Sequence, residues 1–72
     1  MERYRNSEGG SGVSYFEIST DYIIVKFSGS FRTYRYSHRK AGQHHVETMK
    51  RLARSGSVLN SYINRYVKNL ND

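Results

Sequence analysis

The sequence predicts an α+β fold, in which a three-stranded antiparallel sheet (a meander) carries a C-terminal two-helix hairpin packed on one face. Three observations support this class. Residues 13–36 form short runs rich in aromatic and β-branched residues, which favours strands. Apolar residues of the segment 42–70 recur at helical spacing instead. The chain has 72 residues and no cysteine, so we expect one domain without disulfides.

The first twelve residues are predicted to form a flexible arm, and the single α+β domain is expected to span residues 13–70. Residues 7–12 contain only Ser, Glu and Gly, which is the composition of a mobile linker. The chain opens with charges, and its longest apolar run is too short to cross a bilayer. We therefore expect a cytoplasmic protein that has no membrane partner.

Three strands are expected at residues 13–19, 22–27 and 31–36. The first alternates between polar and apolar residues, and the second contains the most apolar run of the chain. Thr20-Asp21 is expected to reverse the chain after the first strand, and Ser28-Gly29-Ser30 after the second. These short turns predict consecutive antiparallel strands.

The length of the second turn decides which side chains are buried. A two-residue type II′ turn at Gly29-Ser30 places Val25 opposite Tyr34. A three-residue loop would instead turn Arg35 inward, because a slip of one residue exchanges the two faces. We prefer the first register. It assigns seven apolar residues of the sheet to the core: Phe16, Ile18, Ile23, Val25, Phe27, Tyr34 and Tyr36.

Two helices, at about residues 42–54 and 57–70, are predicted to cover this apolar face. Gly56 suits the left-handed position that ends a helix, and Ser57 is a favourable first cap for the next one. The apolar residues of both helices recur three and four positions apart. The helical residues assigned to the core are Val46, Met49, Ala53, Leu59, Tyr62, Ile63 and Tyr66.

The chain is strongly basic, with twelve Lys and Arg residues against six Asp and Glu, a net charge of +6. The surplus lies beyond the predicted arm, because residues 13–70 contain ten basic and three acidic residues. Such a surplus attracts polyanions, so nucleic acid is the predicted partner. The alternative is a basic surface that serves only solubility.

The sheet face opposite the helices is the first candidate site. Tyr15, Tyr22 and Phe31 are expected there beside Lys26 and Arg35, on a surface that no remaining segment can cover. Aromatic rings that stack on bases, with cations that contact phosphates, are typical of single-strand recognition by sheets. Alternatively, β-propensity alone explains these aromatic residues, or the face is the contact of a homodimer or another protein interaction.

Basic residues on and before the first helix form a second candidate surface. Such residues would contact phosphates and position a nucleic acid without recognising its sequence. Glu47 is expected to pair with Lys50 or Arg51, which weakens this surface. The complete set of predicted nucleic-acid-binding residues is Lys26, Arg35, Arg39, Lys40, Lys50, Arg51, Arg54, Tyr15, Tyr22 and Phe31.

A helix-turn-helix DNA binder is a further alternative, because two helices flank the turn at residues 55–57. The outward side chains of its second helix would include Arg65 and Lys68. A recognition helix needs several side chains that reach base edges, and this one is mostly apolar. RNA is therefore preferred to DNA.

The sequence contains no pattern that predicts catalysis, a cofactor or a metal. His44 and His45 are adjacent, so they point in different directions on a helix, and no carboxylate stands at a suitable spacing from His38. Nucleophile elbows, phosphate-binding glycine loops and paired carboxylates are not found. We expect a non-catalytic binding module.

Between residues 13 and 67 the chain contains an ordered series of motifs: Tyr34-Arg35-Tyr36, Ala41-Gly42, Val46-Glu47-x-Met49-Lys50-x-Leu52-Ala53 and Ser55-Gly56-x-x-Leu59-Asn60-Ser61-Tyr62-Ile63-Asn64. This series resembles the KTSC domain, which occurs at the C-terminus of some lysyl-tRNA synthetases and as a stand-alone bacterial protein. The resemblance implies an α+β domain of this size, with RNA binding proposed from the synthetase context. Many members have Val-Pro after the Tyr-x-Tyr strand, where this chain has polar residues.

Overall fold

A computed structural model of the protein describes residues 1–6 and 12–72 and shows an α+β fold. Its antiparallel sheet has four strands in the order β1-β2-β3-β4. The predicted fold class is confirmed, but the predicted number of three strands is wrong. The strands are β1 (Glu2–Arg3), β2 (Val13–Ile18), β3 (Tyr22–Phe27) and β4 (Thr33–Ser37).

The additional strand comes from the segment that the sequence assigned to a flexible arm. Arg3 of β1 lies opposite Tyr15 of β2, and the next residue, Tyr4, is only 3% exposed. Burial of this large ring stabilises the ordered conformation of residues 2–4. The sheet therefore begins at Glu2 rather than near Val13. Residues 7–11 lie outside the described residues, so the flexibility of that stretch stays a prediction.

A β-bulge in β2 changes which side chains enter the core. Val13 pairs with Phe27, whereas Tyr15 pairs with Lys26, so Ser14 is the additional residue on its strand. Strict alternation would place Val13 on the same face as Tyr15. The bulge instead buries Val13 in the core.

The β3–β4 pair has the preferred register, with Val25 opposite Tyr34. The turn differs from the predicted Gly29-Ser30 type. The Ser30 N–H donates to the Phe27 carbonyl at 3.2 Å, and Gly29 has a φ of +76°, so the central residues of the turn are Ser28 and Gly29. The hydrophobic pattern thus maintains the register although the turn chemistry is different.

Two helices follow, α1 (Gln43–Ser55) and α2 (Leu59–Tyr62), and α2 continues as a π-helical segment, Ile63–Val67. The left-handed Gly56 (φ +73°) ends α1, as predicted, and its N–H donates to the carbonyls of the last turn. The predicted capping role of Ser57 is wrong. The residue that precedes α2 is Val58, and no side-chain cap bond comes from it.

The π-helical segment changes the face that the second helix buries. Its wider turn places Leu59, Ile63 and Val67, which are four residues apart, in the core. Tyr66 was assigned to the core but is 50% exposed. Its ring stacks on the ring of His45, with centroids 6.0 Å apart and an interplanar angle of 26°.

The core lies between one sheet face and the helices. Most residues that the sequence assigned to it are buried there, while Ile18, Phe27, Tyr34 and Tyr62 pack against it and stay partly exposed. Four core residues were not predicted: Tyr4, Val13, Ala41 and Val67. Within residues 1–6 and 12–72, no helix is long and apolar enough to span a membrane.

Candidate nucleic-acid interface

The sheet face turned away from the helices forms a surface that we call the open face. Strand register places its side chains in two main rows across the sheet. The first row contains Arg3, Tyr15 and Lys26, and the second contains Glu17, Ile24 and Arg35. Side chains in such rows are close enough to interact. With Tyr22, the open face therefore comprises Arg3, Tyr15, Glu17, Tyr22, Ile24, Lys26 and Arg35.

Two tyrosines of the open face each have a cation above the ring. The Lys26 Nζ lies 5.9 Å from the ring centroid of Tyr15, which is 41% exposed. The Arg35 Cζ lies 5.7 Å from the ring centroid of Tyr22. At these distances the positive charge is attracted to the π electrons of the ring. The open face thus presents aromatic surface and positive charge together.

Asp72, which the sequence did not connect with this face, binds the cation of Arg35. The Arg35 Nε donates to the Asp72 Oδ2 at 2.8 Å, and the Ser37 hydroxyl donates to Oδ1 at 2.8 Å. The hydrogen bonds from Ser37 and then from Arg35 lower the pKa of the Asp72 carboxyl. This ion pair takes up part of the charge of Arg35.

Phe31 does not lie on the open face. The strand β4 begins at Thr33, two residues later than predicted, and Phe31 is fully exposed in the preceding loop. The Arg32 N–H donates to the Ser30 hydroxyl at 3.1 Å, a local bond that competes with strand pairing. The predicted group of three stacking rings is thus reduced to Tyr15 and Tyr22 on the sheet.

Lys50 was predicted to lie on the basic surface, but the structure buries it. Only 4% of the residue is exposed, and its Nζ donates to the Thr20 carbonyl at 3.0 Å. The same Nζ lies 2.8 Å from the Glu47 Oε2, which also lies 2.7 Å from the His38 Nε2. The hydrogen bond from Lys50, followed by that from His38, lowers the pKa of the Glu47 carboxyl. A buried charge is retained because these partners satisfy it.

The remaining predicted cations do not join the open face. Arg51 and Arg54 are exposed on α1, and the buried side of this helix faces the sheet, so they lie on the opposite side of the molecule. Arg39 and Lys40 are exposed in the connection between β4 and α1. The open face therefore keeps Lys26 and Arg35 from the predicted set.

Arg3 is the functional candidate that sequence reasoning missed. It was assigned to the arm, but β1 places it beside Tyr15 and Lys26. The available signal was Tyr4, the only aromatic residue in residues 1–12 of the sequence. Such a ring is unusual in a mobile linker.

The described part of the chain contains no group of three or more His, Cys, Asp or Glu residues that could hold a metal ion. Arg65 and Lys68, the candidate DNA contacts of the second helix, are both exposed. The resemblance to the KTSC domain stays a prediction. No family model matches the chain, and neither a curated protein nor a solved structure matches it.

Proposed function

We propose that this protein is a non-catalytic module that binds single-stranded nucleic acid, RNA in preference to DNA, through the open face. The two cation–aromatic pairs, Tyr15 with Lys26 and Tyr22 with Arg35, carry this proposal. Bases of a single strand expose flat faces that stack on tyrosine or arginine, and the neighbouring cations contact the phosphates. Arg3 extends the same row toward the sheet edge.

The geometry favours a single strand over a duplex. Stacking requires unpaired bases that can turn outward, and the rings of the open face lie on a sheet rather than on a helix that enters a groove. Three cations against the carboxylates of Glu17 and Asp72 give this face only a modest positive excess. Stacking must therefore supply much of the affinity, and we expect weak sequence preference from this face.

Fluorescence anisotropy with a labelled RNA of about 12 nucleotides, at about 50 mM salt, tests the proposal. Replacing Tyr22 by Ala should weaken binding by about 5- to 150-fold, since one stacked base contributes about 1–3 kcal/mol. The Lys26→Ala variant should also bind more weakly and show a smaller salt dependence.

The matched control is Arg54→Ala, which removes the same charge from the exposed side of α1. We expect this variant to bind RNA like the wild type, apart from a small long-range effect. Binding no tighter than the roughly 10⁻⁴ M of ordinary non-specific contacts would overturn the proposal. Equal losses in Lys26→Ala and Arg54→Ala would show that the open face is not the site.

A protein-interaction module is the second candidate function, and the full exposure of Phe31 at the β3–β4 hairpin favours it. A fully exposed phenylalanine offers apolar area to a second copy or another protein. Analytical ultracentrifugation of the wild type and of Phe31→Ser decides whether self-association occurs. A concentration-dependent dimer that Phe31→Ser abolishes would support this function, and a monomer throughout would oppose self-association.

A further inference from the structure

A cleft of about 600 Å³ lies between the β3–β4 hairpin and the second helix, on the opposite side of β4 from the open face. Tyr34 of β4 forms part of one wall. Asn60 of α2, Asn64 of the π-helical segment and Lys68, the residue that follows this segment, form part of the other wall. Arg32 stands at the hairpin side.

The lining of the cleft is chemically specific. Its charged side chains are two cations, Arg32 and Lys68, and no carboxylate lines it among the described residues. Four asparagines line it as well, so both amide donors and carbonyl acceptors are present. The site therefore suits an anion that also carries a polar group with donors and acceptors.

The aromatic wall adds a stacking surface. The Arg32 Cζ lies 5.5 Å from the ring centroid of Tyr34, whose ring also meets Phe27 edge-on at 5.5 Å. The planar guanidinium of Arg32 is thereby held against an aromatic ring and offers a flat cation at the cleft. Planar heterocycles stack on such guanidinium groups as well as on tyrosine rings.

We propose that this cleft binds one nucleotide. The base stacks on the Arg32 guanidinium, which Tyr34 supports from the other side. The amides of Asn60, Asn64 and Asn69 contact the base edge, and Lys68 contacts the phosphate. Asparagine provides paired donor and acceptor atoms that match the edge of a base. The nucleotide belongs either to a single strand or to a free mononucleotide, and the inference rests on the cleft alone and not on the open face.

Side-chain amide signals in NMR spectra of the ¹⁵N-labelled protein test this assignment directly. One titration uses the four nucleoside 5′-monophosphates, and another uses single-stranded tetranucleotides. We expect the side-chain amide signals of Asn60, Asn64 and Asn69 to shift and saturate in at least one titration. Shifts with tetranucleotides alone identify a strand as the source, whereas saturation with monophosphates identifies the free nucleotide.

The variant Lys68→Ala should weaken the binding measured at these amide signals by about tenfold, the effect of losing one charge-assisted contact. The control is Arg65→Ala, which removes an exposed cation of the π-helical segment outside the cleft and should leave the affinity unchanged. Amide signals that stay in place in both titrations would overturn the inference, even if the signals of Tyr15 and Tyr22 move. If tetranucleotides shift the asparagine amide signals but not the signals of Tyr15 and Tyr22, the open-face proposal alone is overturned.

Discussion

Tyr36 shows how burial at a single residue alters a titration. Burial, together with the neighbouring Tyr34, raises the pKa of the Tyr36 hydroxyl from 10.0 to about 12. The folded protein thus holds the neutral phenol more strongly than the unfolded chain does. Its contribution to stability is fully present below pH 10 and is lost as the pH rises toward 12.

We therefore predict that the free energy of unfolding falls between pH 10 and pH 12, and that Tyr36→Phe removes part of this fall. Absorbance titration of the phenolates should show one tyrosine that ionises later than the others, and this component should disappear in the variant. Urea denaturation at several alkaline pH values measures the stability. An unchanged late component in Tyr36→Phe would contradict the assignment.

Glu47 gives the corresponding prediction at acid pH. Its pKa lies below the ordinary value of 4.5 because of the bonds from Lys50 and His38. Its contribution to stability is present above pH 4.5 and is lost as the pH falls through the folded value. Glu47→Gln should lower the melting temperature at pH 7, because the buried Lys50 ammonium loses a charged partner, and it should flatten the acid side of the stability curve.

Calorimetry from pH 3 to pH 7 measures both effects. Glu17→Gln is the control, since Glu17 is an exposed carboxylate of the open face. If both variants lower the melting temperature equally at every pH, the contact between Glu47 and Lys50 does not stabilise the fold in the way described.

Single residues also show where sequence reasoning reaches its limit. Val46 and Met49 were assignable to the core because helical spacing places them on one side. The burial of Lys50 could not be predicted, because a charged residue beside an apolar stripe is normally exposed. Its burial becomes favourable through two partners, the carbonyl of Thr20 and the carboxylate of Glu47. Such partners come from distant parts of the chain and leave no local pattern.

Among the elements, the start of α2 depends on a contact with Tyr4, the residue that follows β1. The Leu59 N–H at the start of this helix donates to the Tyr4 hydroxyl at 3.2 Å, in a buried contact between residues far apart in sequence. An unpaired amide at a helix start destabilises it. We predict that Tyr4→Phe, which retains the ring, lowers the free energy of unfolding by about 1 kcal/mol. Urea denaturation measures this change. Tyr62→Phe is the matched control, because it removes a tyrosine hydroxyl that bonds to the His45 Nδ1 rather than to an amide at the start of α2.

Two glycines in different turns permit a matched comparison. Gly29 lies in the β3–β4 turn, and Gly56 lies in the turn between α1 and α2. Gly29 and Gly56 have similar φ values of +76° and +73°, but a Cβ at Gly56 would lie 2.8 Å from the Arg5 Cβ, whereas nothing lies within 4 Å of one at Gly29. Gly29→Ala should lower the free energy of unfolding by about 1 kcal/mol, the cost of the left-handed backbone. Gly56→Ala should lower the free energy of unfolding by more than Gly29→Ala does. This difference between the two variants should decrease when Gly56→Ala is combined with Arg5→Gly, which removes the Arg5 Cβ. Equal costs at both glycines would contradict the contact.

Elements differed in how far the sequence predicted them. The β3–β4 register followed from apolar alternation, because a slip of β4 by one residue would bury Arg35 and expose Tyr34 and Tyr36. The strand β1 could not be predicted, because a strand of two residues is too short to show a periodic pattern. The Ser14 bulge and the π-helical segment were equally hidden, since each adds a local irregularity that only packing against the core stabilises.

For the whole molecule, the basic residues are spread over several surfaces rather than gathered on one. Arg3, Lys26 and Arg35 lie on the open face, and Arg51 and Arg54 lie across the molecule. A single strand bound at the proposed site would therefore contact about three cations. The sequence revealed the net charge but not its distribution, because distribution depends on the packing of α1 against the sheet.

This division predicts a shallow salt dependence. Three phosphate contacts give a slope of about −2 in a plot of log affinity against log salt concentration, whereas the seven predicted cations acting together would give about −5. Anisotropy titrations across several salt concentrations measure the slope. A value near −5 would mean that the strand wraps around the helices as well, contrary to the proposed site.

The backbone of Asp72 has a consequence for concentrated solutions of this protein. The Asp72 N–H donates to the Arg35 carbonyl at 2.7 Å, and this bond occupies a hydrogen-bonding group on the outer margin of β4. The other margin of the sheet is β1, a strand of two residues. Long, unoccupied margins are the templates on which fibrils grow. The margin at β1 is short and the margin at β4 is partly occupied, so we expect the folded protein to resist fibril growth through added strands.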